Sequence, residues 1–327
     1  MIRCVTAVAR FLILALLVGL SGAAVAQQPY PSKPIHFIVP FPPGGSTDPT
    51  ARMVAQKLAA KWGQPVIVDN RPGGNTVIGT DAVAKASPDG YTILLATTPF
   101  VTSPSLLPFV PYDPVKDFEA VATIAKNRHV LVLNPTVAAN TLQEFIALAK
   151  SKPGQLNYAS TGVGGTTHLA GELFNIMVGT KLQHIPYKGS GPALSDLIGG
   201  QVQLSFQIPI SAIPHILSGK LKALAITGEN RLALLPQVPT FAEAGLPGYD
   251  ISGWYWIVAP ARTPKAVVDK LSNEIAAILV MPDIQQNLAK QGIEPVISTP
   301  EQFAALIRSE IARYAKIIKT ANIKLEN

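Results

Sequence analysis

Pro40-Phe41-Pro42-Pro43-Gly44-Gly45-Ser46-Thr47-Asp48 and Ser160-Thr161-Gly162-Val163-Gly164-Gly165-Thr166-Thr167 are two glycine-rich turns, each set between a strand-like run and a helix-like run. A strand that enters a helix through glycine and hydroxyl residues leaves several backbone N–H groups unpaired at the positive end of the helix dipole, where an anion satisfies them. Turns of this composition also serve simply to cap helices. Two of them in one chain suggest the two halves of one anion clamp.

Outward from these turns the chain alternates short β-branched runs with helical ones. Ile35 to Val39 reads as a strand, Pro49 to Lys61 as a helix, Val66 to Asp69 as a strand, Val77 to Ala86 as a helix and Tyr91 to Ala96 as a strand. The pattern restarts at Val130-Leu131-Val132-Leu133 and runs through Leu142 to Lys150, Asn157 to Ala159 and a helix from Thr166, whose Leu169, Leu173, Ile176 and Met177 keep helical spacing. Three helices close the chain, each opening near a proline: Pro264 to Leu279, Pro282 to Gln291 and Pro300 to Thr320. This is an α/β chain, with largely parallel pairing expected. No Ser/Gly-rich or charge-rich linker separates the halves, so the chain is expected to cross between two lobes through strands, near Asn127 to Val130 and near Ser252 to Trp256. That divides it into a discontinuous first lobe, residues 30–128 with 254–327, and a second lobe, residues 129–253. Ligands of such folds lie outside the carboxyl ends of the strands, where both turns would fall.

Arg3 and Arg10 precede the apolar run Phe11 to Leu20, which ends in Ser21-Gly22-Ala23-Ala24-Val25-Ala26. Residues 1–26 therefore read as a secretory signal peptide with an A-x-A cleavage site, and the mature chain as a periplasmic protein without membrane insertion. Cys4 leaves with the signal, so the mature chain has no disulfide or thiol chemistry. Of 27 Lys and Arg the signal removes two, leaving 25 against 20 Asp and Glu, a modest +5 spread without a basic block. Nucleic-acid binding is not expected, whereas a mild attraction for small anions is. The five histidines show no metal-ligand spacing, and no metal or cofactor is expected. The chain lacks G-x-S-x-G and H-E-x-x-H, and its first turn lacks the lysine of a P-loop, so an enzyme is not expected.

Seven segments occur in order along nearly the whole chain after residue 30: Pro40 to Asp48, Asn70-Arg71-Pro72-Gly73-Gly74, Ser87-Pro88-Asp89-Gly90-Tyr91-Thr92, Ser160 to Glu172, Pro186-Tyr187-Lys188-Gly189, Val238 to Gly245 and Ala259 to Pro264. In them the chain resembles the Bug-type extracytoplasmic solute receptors, the periplasmic binding proteins of tripartite tricarboxylate transporters. The resemblance implies a two-lobed periplasmic-binding-protein fold that closes on a small carboxylate, a di- or tricarboxylate or an aromatic carboxylate such as terephthalate. It implies a monomer that delivers this ligand to a permease with one large and one small subunit. A receptor that reports the ligand to a signalling protein would use the same closure.

In that family the loops matching Phe41 to Asp48 and Ser160 to Thr166 hold a ligand carboxylate through backbone N–H groups, hydroxyls and water. The resemblance thus nominates Phe41, Gly44, Gly45, Ser46, Thr47, Asp48, Ser160, Thr161, Gly162, Gly164, Gly165 and Thr166. Asp48 would repel an anion it faced, and capping its own helix is the alternative. Arg52, one turn further on, is expected in a salt bridge. Thr98, or its neighbour Thr97, ends a strand toward the cleft. Gln207 ends another, near where many relatives carry an acidic residue suited to an ammonium group. Its neutral amide argues against an amino-acid ligand, the alternative being a surface amide. Trp254, Tyr255 and Trp256 are expected mainly as core or hinge packing, since alternation turns only one face of a strand to the cleft.

Overall fold

The computed structural model describes residues 30–43 and 47–323; the expected signal peptide and Gly44, Gly45 and Ser46 of the first turn lie outside the described residues. Two sheets organise the chain. The first contains β1 (Ile35–Val39), β2 (Val66–Asn70), β3 (Thr92–Thr97), β4 (Phe118–Asn127), β10 (Gly253–Pro260) and β11 (Ile293–Pro295), in the order β11-β4-β10-β3-β1-β2. The second contains β5 (Val130–Leu133), β6 (Asn157–Ser160), β7 (Gln183–Pro186), β8 (Leu204–Gln207) and β9 (Lys222–Ile226), in the order β7-β6-β8-β5-β9. Each sheet with its helices forms one lobe.

Helices cover both faces of each sheet, which is why the strands read as nearly continuous apolar runs. In β3, Ile93 and Leu95 face one layer, where they meet Ala51, Val54 and Leu58 of α1 (Thr47–Trp62) and Leu271, Ile275 and Ile278 of α8 (Lys265–Leu279). Leu94 and Ala96 face the other, against Phe100 and Val101 of α3 (Thr98–Leu106) and Phe303 and Tyr314 of α10 (Pro300–Thr320). The two remaining helices of this lobe are α2 (Val77–Ala84) and α9 (Pro282–Lys290). In the second lobe α4 (Leu142–Ser151) and α5 (Thr166–Val178) cover one face, while α6 (Ser190–Ile198) and α7 (Pro209–Leu217) cover the other. One apolar cluster runs across both lobes, from Leu94 and Phe100 through Trp254 and Ile251 to Leu169 and Phe206. Among the described residues no helix is long and apolar enough to cross a membrane.

The pairing departs from the parallel expectation: the described strands make four parallel and five antiparallel pairings. The reason lies in how the chain changes lobes. A parallel pair needs a crossover segment, usually a helix, but β4 passes into β5 through Arg128 and His129 alone. A strand entering in this way starts at the edge where its neighbours end. Thus Val130 of β5 lies opposite Gln207 and Ile226, the last residues of β8 and β9, and Gly253 of β10 lies opposite Asn127, the last of β4. The carboxyl ends of β1, β3 and β4 in one lobe and of β6, β8 and β9 in the other consequently meet along one seam.

Candidate ligand-binding site

That seam encloses a cavity of about 390 Å³. Five helices start on its wall, because each follows a strand that ends there. Thr47 opens α1 after β1, Thr97 and Thr98 open α3 after β3, and Gly165 and Thr166 open α5 after β6. Gly189 and Ser190 open α6 after β7, and Ile208 caps α7 after β8. Each helix start presents backbone N–H groups that its own helix cannot pair, with the positive end of its dipole. Phe41, Pro42, Pro43, Pro99 and Trp254 give the cavity apolar walls, and no Lys, Arg, His, Asp or Glu is among its described lining residues.

Of the residues singled out from sequence, Phe41, Thr47, Thr98, Thr161, Gly165 and Thr166 are brought together on this wall. Gly44, Gly45 and Ser46 lie outside the described residues. Asp48 does not reach the wall. It sits in the first turn of α1, accepting from Arg52 Nε at 3.0 Å and Asn70 Nδ2 at 3.0 Å. Arg52 is thereby placed in the expected salt bridge, an i,i+4 pair on the helix surface. Gln207 is also off the wall. It is fully buried, and Nε2 donates to Ser205 Oγ at 2.8 Å because residues i and i+2 of β8 share a face. It is therefore neither a cleft residue nor a surface amide. Ser160, Gly162 and Gly164 stand behind the wall, and the turn they form is shaped from within. Ser160 Oγ shares a 2.6 Å hydrogen bond with His184 Nε2, and the Gly164 N–H donates to His168 Nδ1 at 2.9 Å.

Trp254 and Tyr255 both line the cavity, whereas Trp256 is fully buried against Phe303. Alternation would send only one face of the strand to the cleft, but here β10 starts at the seam, so its first residues reach the cavity on either face. Asn127, Gly189, Ser190 and Ile208 were not singled out. The signal for Asn127 was its place at the predicted lobe crossing. That for Gly189 was its place at the end of the Pro186 to Gly189 segment.

The second turn rests on a buried stack. The rings of His168 and His184 lie 3.7 Å apart at 8°, and Tyr158 stacks on His184 at 5.0 Å. Tyr158 donates its hydroxyl to Glu172 Oε1 at 2.6 Å. Burial pushes His184 down to about 4, and burial together with the adjacent His184 pushes His168 down to about 3. Burial pushes the Glu172 carboxyl up. At neutral pH the stack therefore presents uncharged imidazoles.

His129, in the crossing between β4 and β5, is also buried, and burial holds it at about 4. Its Nδ1 lies 3.2 Å from the Ile251 carbonyl and its Nε2 3.0 Å from Thr166 Oγ1, so it touches both crossings and the clamp helix. The second crossing is braced by α10. There Tyr314 donates to the Ser252 carbonyl at 2.8 Å, and Trp254 Nε1 donates to Glu310 at 2.9 Å.

A second cavity of about 440 Å³ lies at the far end of the first sheet, between the start of β4 and the starts of α8 and α10. Its Lys265 is already paired with Asp269 at 2.7 Å. Of these two cavities, the one at the seam gathers strand ends and helix starts from both lobes. No group of three or more His, Cys, Asp or Glu able to hold a metal occurs among the described residues.

A two-lobed α/β binding protein, with a pocket between lobes joined by strands, is the class this geometry defines. The TctC family, described as the tripartite tricarboxylate transporter family receptor, matches residues 50–323, and the chain belongs to that family. It is 41% identical over 307 residues to Protein BugT of Bordetella pertussis, covering 93% of this chain and 94% of that one. Among solved structures it resembles Rpa4515 of R. palustris with adipate, at TM-score 0.81 and 35% identity over 90% of this chain and 100% of that one. It also resembles MatC of Rhodopseudomonas palustris with bound malate, at TM-score 0.75 and 31% identity over 88% and 100%. These matches agree with the Bug-type resemblance and the two-lobed fold read from the sequence.

Proposed function

We propose that this chain is a periplasmic receptor, exported by a cleavable signal peptide, that captures a small unaminated carboxylate and delivers it to the permease of a tripartite tricarboxylate transporter. The observation that carries this reading is the convergence of five helix starts on one cavity of about 390 Å³ whose described lining includes no Lys or Arg. Backbone N–H groups and hydroxyls hold the carboxylate: Thr47 and Thr98 from the lobe of residues 30–128 and 254–327, and the Thr161 hydroxyl and the Thr166 backbone N–H from the lobe of residues 129–253, where Gly165 leaves room for the anion. Phe41 and Trp254 flank the body of the ligand, which suits a dicarboxylate chain or an aromatic ring. Adipate and malate, the ligands of the two related structures, are both dicarboxylates. An ammonium group would meet no described Asp or Glu on the wall, and a buried charge without a partner costs several kcal/mol. The two lobes close because the ligand contacts both of them better in the closed form.

Calorimetric titration with di-, tri- and aromatic carboxylates and with amino acids tests the reading. Gly165 has φ −73°, and an added Cβ there meets nothing closer than 3.5 Å. Gly165→Val is therefore expected to fold normally and to lose binding at least a hundredfold, because its side chain fills the space the anion needs. Undiminished binding in Gly165→Val, or an amino acid bound in preference to its deaminated analogue, would overturn the proposal.

A further inference from the structure

The cavity gathers donors, yet one hydroxyl on its wall is fixed as an acceptor. Thr166 and Asn127 line the cavity, and both side chains approach Gly253: a Cβ built there would lie 3.6 Å from Thr166 Cγ2 and 3.2 Å from Asn127 Cβ. The two side chains therefore stand together where the lobes cross. Asn127 Oδ1 is buried and has no hydrogen-bond partner. The Thr166 hydroxyl is constrained from behind by His129. A carbonyl has no proton to give, so His129 Nδ1 carries the hydrogen that reaches the Ile251 carbonyl at 3.2 Å. A neutral imidazole carries one N–H, which leaves Nε2 as an acceptor; the Thr166 hydroxyl donates its only proton to it across 3.0 Å. His129 is wholly buried and its ring is held neutral at neutral pH. Asp250 is the charged group that acts on the ring, in the opposite sense to burial and more weakly, while the Thr227 hydroxyl accepts from the His129 backbone N–H at 2.8 Å. Thr166 Oγ1 thus has only lone pairs left for the cavity.

We propose that His129 is a positioning residue that fixes the Thr166 hydroxyl as an acceptor, so that the site selects a carboxylate carrying a hydroxyl beside the carboxylate held at the start of α5. The ligand O–H is received by Thr166 Oγ1. The inference rests on the carboxylate-receptor reading and narrows it. An undissociated carboxyl group would also supply an O–H, but at pH 7 only about one carboxyl in a thousand keeps its proton. An ammonium would supply N–H donors, but the described wall offers it no carboxylate. A 2-oxo group has no proton and would set its oxygen against the Thr166 acceptor. Leaving buried acceptors unpaired is what lets a site reject an isostere that lacks the donor.

The test is calorimetric titration of the full mature chain at pH 7.5 with 2-hydroxyglutarate, glutarate and 2-oxoglutarate, and with mandelate against phenylacetate. In at least one series the hydroxy acid is expected to bind ten times or more tighter than its deoxy partner, with the oxo acid weakest. Thr166→Val keeps the shape and removes the acceptor, so the hydroxy-to-deoxy ratio is expected to fall toward one while the deoxy affinity is kept. His129→Leu releases the Thr166 proton toward the cavity, so the oxo acid is expected to gain on the hydroxy acid. A merely structural role for His129 would weaken all ligands alike and leave these ratios unchanged, which would overturn the assignment. Deoxy acids binding as tightly as their hydroxy partners would sink this inference and leave the receptor reading standing. Binding by no carboxylate at all would overturn both.

Discussion

The two glycine-rich turns look alike in sequence and are held in place by opposite means. The first is tied from the surface. Asn70 Nδ2 donates to the Phe41 carbonyl at 3.1 Å and to Asp48 at 3.0 Å, and Arg52, whose side chain is 54% exposed, closes the set at 3.0 Å from Asp48. The second is backed by neutral buried rings, with His168 holding the Gly164 N–H and His184 holding Ser160. Water screens the exposed Arg52 guanidinium, so its contact is worth little, whereas Asp48 is buried and its tie to Asn70 half-buried. Water replaces the contacts of the second less readily, because His168 is buried and His184 half-buried between it and Tyr158. One lobe is thus expected to tolerate change behind its turn, and the other is not.

The sharpest way to break this comparison is to disturb the stack by volume. Gly171 lies on α5 facing Tyr158, and a Cβ there would come within 2.3 Å of Tyr158 Cε2 and 2.4 Å of Cζ. Tyr158 has nowhere to go, because its ring packs on His184 and its hydroxyl is held by Glu172. Gly171→Val is expected to destabilise the protein by about 3 kcal/mol, the upper part of the range for overpacking a filled core. Urea unfolding at pH 7.5 measures this. A loss below 1 kcal/mol would show that the second turn is as tolerant as the first.

The sequence made the two-lobed α/β fold legible because strand and helix periods alternate clearly along it. It hid what needs the tertiary fold. Helix α3 went unread because TPFVTSPSL carries two prolines and no strong helix former except leucine; it forms because Phe100, Val101 and Leu106 are buried. Strand β4 went unread because its alanines and charges give no period, although it pairs on both sides, with β11 and β10, and carries Asn127 to the cavity. Gln207 reaches the expected strand end, but a hydrogen bond to Ser205 turns its amide into the core. Which face a residue takes at the end of a strand depends on partners distant in sequence, as Trp254 and Tyr255 also illustrate.

Acid separates the two turns next most strongly. In the unfolded chain each histidine titrates near 6.5, whereas His168 and His184 in the fold are held near 3 and 4. Below pH 6.5 the unfolded state takes up protons that the folded state refuses. The stabilisation is therefore complete above about pH 6.5 and is lost as pH falls toward the folded values. For His168 alone the slope approaches about 1.4 kcal/mol per pH unit, or about 2 kcal/mol between pH 6.5 and 5. His184 adds less, being partly open to solvent. Glu172 acts in the opposite sense, since its raised carboxyl favours the fold on the acid side. His129 contributes a loss of the same sign as His168. His168→Gln is expected to flatten the decline between pH 6.5 and 5. An unchanged slope would show that the stack does not carry the acid sensitivity.

The smallest effect is expected at the first turn. Arg52→Gln removes a surface guanidinium from Asp48 but leaves Asn70 Nδ2 on both Asp48 and the Phe41 carbonyl, so the turn keeps its tie to the helix. Exposed i,i+4 pairs contribute about 0.3–0.5 kcal/mol, and salt weakens them further. Stability is therefore expected to fall by less than about 1 kcal/mol, and by less still in 0.5 M salt. Carboxylate affinity is expected to change less than tenfold, because Arg52 is not on the cavity wall. Asn70→Ala, which cuts the tie itself, is expected to cost more than Arg52→Gln in both measurements. If Arg52→Gln instead abolished binding while Gly165→Val preserved it, the ligand would be recognised by a charged pair on the first lobe. The contrast between a tolerant turn and a fixed one would then be reversed.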